Sequence, residues 1–135
     1  VGSEMCIRDS GRAVPLAVSG GFHSPFMNEA AKKLLLELET TEMKTPSLPV
    51  YSNVNAKPYG ENGKITLSEQ VNHPVYWQKS VENMIADGID TFVEVGPGKT
   101  LCGLIKKISS QVRILNVENF ADARAAAEEL RRTSC

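Results

Sequence analysis

Cysteine is scarce in this chain. There are three in 135 residues, Cys6, Cys102 and Cys135, an odd number without C-x-x-C spacing. That argues against a disulfide framework and against a cysteine-built zinc site, and it fits a reducing, cytoplasmic setting. Histidine is scarcer still, with His23 and His73 far apart and no acidic or thiol spacing around them suited to a metal. No cofactor is expected. Neither sign of charge prevails, since 15 Lys+Arg against 16 Asp+Glu leave a formal charge of -1. No basic stripe is interleaved with aromatics, so nucleic acid is not an expected partner. No apolar run approaches the length of a membrane span and no signal-peptide pattern is visible, so no membrane association is expected. There is also no G-x-S-x-G, and hence no serine set on a nucleophile elbow.

What is present reads as one domain with an artefactual or foreign prefix. A chain of this length buries roughly two-thirds of its unfolded surface when it folds completely. Residues 1–10 show no periodicity and resemble translated adaptor sequence, so the fold reading starts at Gly11. Residues 13–19 are β-prone. The next segment sets Met27, Ala31, Leu34, Leu35 and Leu38 at helical spacing, with Lys32, Lys33, Glu37 and Glu39 on the other face. Residues 45–49 carry two prolines and stop it, 49–54 read as a short strand, and 57–63 as turn-rich loop. Thr66-Leu-Ser-Glu69 has capping-box spacing and predicts a helix start. Pro74 opens another helix with Trp77, Val81, Met84 and Ile85 on one face and Gly88 beyond its end. A strand over 89–95, a helix bearing Leu101, Leu104, Ile105 and Ile108, a strand over 112–117 and an alanine-rich helix over 121–131 complete the chain. Strands alternating with helices predict an α/β fold, a parallel sheet with right-handed crossovers and flanking helices.

Two stretches bear on chemistry. Leu16-Ala-Val-Ser-Gly-Gly-Phe-His-Ser-Pro-Phe-Met27 ends a strand, breaks at two glycines and opens a helix. Ser24 is placed to cap that helix and Pro25 suits its first position. His23 thus sits at a strand-to-helix elbow, where an accessible imidazole is a candidate general base. Gly96-Pro-Gly-Lys-Thr100 imitates a phosphate-binding P-loop, but GxxxxGK[ST] needs glycine at position 93, where the chain has Val93. The spacing supports a tight strand-to-helix turn instead. His73, just before Pro74, reads as structural.

Val18-Ser-Gly-Gly-Phe-His-Ser-Pro-Phe-Met27 resembles the histidine segment of the malonyl-CoA:acyl carrier protein transacylase family. The resemblance continues in order through Pro49-Val-Tyr-Ser-Asn-Val54, Gln70, His73-Pro-Val-Tyr-Trp-Gln-Lys-Ser-Val81 and Phe92-Val-Glu-Val-Gly-Pro-Gly-Lys99. Gly21 departs from it, since many relatives carry proline there. The resemblance implies that residues 11–135 are the C-terminal part of an acyltransferase domain, with the upstream strands and the nucleophile segment missing. It implies that His23 is the catalytic base, oriented by the backbone carbonyl of the glutamine that Gln70 matches. It implies that Phe22, beside the histidine, borders the malonyl group and disfavours a branched acyl group. Malonyl-CoA and acyl carrier protein are the implied partners, and Lys99, Lys106 and Lys107 are basic candidates for carrier docking. Two alternatives stay open. One is a catalytically inactive α/β module that binds carrier protein, and the other is the acyltransferase domain of a polyketide or fatty acid synthase.

Overall fold

The structure, a computed structural model, describes residues 20–133. The expected foreign prefix, the strand over 13–19, Cys6 and Cys135 lie outside the described residues. A three-residue 3-10 turn, Pro25–Met27, leads into helix α1, Asn28–Thr40. Helices α2, Gly63–Glu69, and α3, Trp77–Ala86, follow a long loop and precede strand β1, Thr91–Val95. Then come α4, Thr100–Ile108, strand β2, Arg113–Val117, and α5, Phe120–Thr133.

The two strands form a parallel pair in the register Thr91 to Arg113 and Val95 to Val117. Their connection is α4, which packs on both strands, while α5 packs on β2 and α3 on α4. This is the expected α/β architecture, a parallel sheet with flanking helices. The apolar spacing is met in part: Val81 is 1% exposed on α3, Ile105 is buried on α4 and Ala31 on α1, whereas Leu101 and Leu104 of α4 are each 39% exposed. No helix among the described residues is long and apolar enough to cross a membrane.

Several boundaries fall elsewhere than the sequence predicts. Residues 49–54 form no sheet strand. Tyr51 makes an isolated antiparallel bridge with Pro58, and the Ser52 and Tyr59 amides donate to the Lys57 and Val50 carbonyls. That segment folds back on its own neighbour and finds no parallel partner. Thr66 caps nothing, because α2 already runs from Gly63 and the Thr66 amide donates to Asn62 O within it. Gly63 is buried against Met43 and Tyr59, and a side chain there would displace the flexible end of Met43. The Ser24 hydroxyl donates to the Gly21 carbonyl and caps no amide. Helix α1 ends at Thr40, before the prolines, with the Thr40 and Thr41 hydroxyls donating to Glu37 O. Helix α3 starts three residues after Pro74, at Trp77.

Candidate active site

The elbow brings together two stretches of chain distant in sequence. His23 has φ of 56°, a left-handed conformation that L residues with a β-carbon adopt at a cost of about 1–2 kcal/mol. Two hydrogen bonds to the end of α2 hold it there. The His23 amide donates to Val71 O at 3.1 Å, and the ring Nδ1 lies 2.8 Å from Gln70 O. A carbonyl oxygen only accepts, so Nδ1 carries the proton and Nε2 keeps the lone pair. A histidine fixed in this tautomer is equipped to take a proton through Nε2.

Gln70 is itself gripped. It terminates α2, where helix carbonyls lack intrahelical donors and are free for other partners. Its side-chain Oε1 accepts the Asn53 amide at 3.2 Å, and its backbone oxygen also accepts from Asn53 Nδ2 at 3.4 Å. Around this arrangement is an open cleft of about 490 Å³, lined by Phe22, His23, Leu34, Asn53, Leu67 and Gln70 among others. The lining is largely apolar with a few polar groups, the usual composition of a small-molecule site.

No family model matches the chain. A malonyl CoA-acyl carrier protein transacylase of Bacillus subtilis is 40% identical over 122 residues, which are 89% of this chain and 38% of that protein. The crystal structure of the transacylase of that name from Clostridium perfringens superposes with a TM-score of 0.90 at 38% identity, covering 97% of this chain and 42% of that one. A malonyl-transacylase solved in complex with a type II polyketide-synthase acyl carrier protein superposes at 0.88 with 35% identity, covering 94% of this chain and 42% of that one. Over most of its length the chain is similar to malonyl CoA-acyl carrier protein transacylases. It spans about 40% of the length of these relatives.

In this chain the residues singled out from sequence fall into three groups. His23 and Gln70 are in contact, and Phe22, 57% exposed, lines the same cleft. His73 stands apart: its Nδ1 faces Glu69 O at 2.9 Å and Asn72 Oδ1 at 2.8 Å, at the end of α2. Lys106 and Lys107 lie exposed in the last turn of α4, while Lys99 lies at its opposite end. Asn53 went unmarked as a site residue in the sequence. It lies in the matching stretch 49–54, but only tertiary hydrogen bonds reveal its tie to Gln70.

The P-loop imitation closes off anions by its own means. The Glu94 carboxylate accepts the Leu101 amide at 3.0 Å and the Cys102 amide at 2.8 Å, occupying the free donors at the start of α4. The Cys102 thiol and amide, with the Leu101 amide, hold the Glu94 carboxyl below the usual carboxylate range. An anionic phosphate there would meet a fixed carboxylate. Gly96 and Gly98 have φ of 137° and 87°, and Asn116 Nδ2 fastens the turn to Gly98 O at 2.8 Å. The Cys102 thiol is pushed up, first by burial and then by Glu94, so this cysteine is a poor nucleophile. Among the described residues no group of three His, Cys, Asp or Glu could hold a metal ion.

Proposed function

We propose that this chain carries the histidine half of a malonyl transferase that moves malonyl from malonyl-CoA to the phosphopantetheine thiol of an acyl carrier protein. The reading is carried by the His23 Nδ1–H bond to Gln70 O, which leaves Nε2 as the free base. A serine from the part of the relatives that this chain does not span attacks the malonyl thioester as Nε2 takes its hydroxyl proton. The tetrahedral adduct collapses, the carbon–sulfur bond breaks, and Nε2–H protonates the departing coenzyme A thiolate. In the second half His23 takes the proton of the carrier thiol, which attacks the malonyl ester. Collapse returns the proton to serine. During each half the Gln70 carbonyl holds the ring orientation and stabilises the imidazolium. The scheme asks for no metal on this chain, because the thioester is already an activated acyl donor, and the acceptor thiol is carried by the phosphopantetheine of the carrier protein. The likeness to a transacylase solved with its acyl carrier protein supports the choice of acceptor. That neighbour serves polyketide synthesis, so the proposal names the reaction and not a pathway.

The test is a chimera in which residues 20–133 replace the matching segment of the Bacillus subtilis transacylase. It should transfer malonyl from malonyl-CoA to acyl carrier protein, and His23→Ala should lower kcat by about a thousandfold or more. The 135-residue chain alone should show none, having no G-x-S-x-G serine. A folded chimera without transfer, or full transfer by His23→Ala, would refute the reading.

A further inference from the structure

We propose that Asn53 is a positioning residue for His23, acting through the Gln70 peptide carbonyl; this rests on the acyl-transfer reading only for its kinetic consequence. Asn53 holds Gln70 at two points. Its main-chain N–H donates to Oε1 at 3.2 Å and its side-chain Nδ2 to the backbone oxygen at 3.4 Å. That same oxygen receives the His23 Nδ1–H at 2.8 Å, so one carbonyl takes a donor on each lone pair. The carbonyl belongs to the residue just past the end of α2 and has no helical successor to fix it. Without the Asn53 amide it is free to tilt, and the imidazole would tilt with it.

Asn53 is in turn immobilised from its other side. Tyr76 N donates to Asn53 O at 3.1 Å, and the neighbouring Ser52 is fully buried with its hydroxyl accepting the Val54 amide. Asn83 on α3 ties the same loop down through Ala56 O at 2.7 Å. A relay therefore runs from α3 through the 50–59 loop to Gln70 and the His23 ring. A base displaced by even about 1 Å loses on the order of a hundredfold in rate, so this relay controls chemistry without touching the reacting atoms.

The deciding measurement is the tautomer of His23 in the 15N-histidine-labelled Bacillus subtilis chimera, read from long-range proton–nitrogen couplings. The parent should show Nδ1–H at His23. Asn53→Asp, which sets a carboxylate against the Gln70 oxygen, and Asn53→Ala, which keeps the main-chain donor, should both shift His23 toward Nε2–H. His73, which Asn53 does not touch, should keep its spectrum and serves as the fold control. In the Bacillus subtilis chimera both substitutions should lower kcat by about tenfold to a hundredfold while the KM for malonyl-CoA stays within twofold. Retention of the parent tautomer in both variants, or an unchanged kcat, would overturn the assignment. Collapse of both histidine spectra would also overturn it, by giving Asn53 a folding role. A parent chimera that transfers no malonyl would count against the acyl-transfer reading, and the tautomer result would still decide the role of Asn53.

Discussion

Phe22 and His23 are adjacent in sequence and line one cleft, so the residue beside the base also shapes the space in front of it. On the acyl-transfer proposal, a phenyl ring there would occupy volume that an α-methyl on the acyl group would need. One methyl is worth about 1–3 kcal/mol of discrimination, so the preference is graded. In the chimera, Phe22→Ser should raise kcat/KM for methylmalonyl-CoA relative to malonyl-CoA by about tenfold. An unchanged ratio in an active enzyme would retire Phe22 as a determinant of acyl choice. At this scale the sequence was legible wherever the candidate site has a local signature. The Gly-Gly-Phe-His-Ser-Pro elbow is such a signature, because glycines, a capping-type residue and a helix-starting proline announce a change of direction. The His23–Gln70 contact spans 47 positions and could be anticipated only through family resemblance. Asn53 and Glu94 lie in matching stretches, but nothing local marks the bonds they make. Each acts through hydrogen bonds to groups that the fold alone brings near.

Among the elements, helix ends divide into those written locally and those imposed by packing. The end of α3 is written locally. Gly88 N donates to Ile85 O and Ile89 N to Met84 O, the paired bonds of a Schellman motif, with Gly88 at φ of 94°. A β-carbon at Gly88 would meet nothing within 4 Å, so a substitution there is strained by backbone conformation alone. Gly88→Ala should cost about 1–2 kcal/mol in urea denaturation of the chimera, and Gly88→Asn less, because asparagine tolerates this conformation. Equal midpoints for all three would show that the left-handed turn is dispensable. The start of α2 is the opposite case. Thr66 has capping-box spacing, yet the helix begins at Gly63, buried beside the Met43 methyl. The 49–54 stretch fails as a strand for a related reason. A strand exists through its partner, and this one pairs back on Pro58. By contrast β1, α4 and β2 were readable from pattern, since alternating β-prone runs and an amphipathic helix suffice for a parallel crossover.

For the whole molecule the question is what covers its apolar surface. Parallel sheets are buried on both faces in the folds that use them, and two strands alone rarely persist. Here α4 and α5 pack against the pair, yet Val93 is 38% and Val95 77% exposed on β1. Phe26 at 91%, Phe120 at 77% and Leu48 at 75% are also open, whereas Val81 is the largest apolar side chain that is fully buried among the described residues. Each large apolar side chain left in water forgoes about 1.5–3 kcal/mol of burial, which together rivals the net stability of a small domain. The relatives extend well beyond the matched segment, and that additional chain is where we expect the covering surface to come from. The isolated 135-residue chain should therefore self-associate and unfold without a sharp transition, while the Bacillus subtilis chimera should be monodisperse and cooperative. Light scattering after size exclusion and scanning calorimetry of both proteins make the comparison. A monomeric isolated chain with a sharp, reversible transition would show that the 135 residues stabilise themselves despite the exposed face of β1.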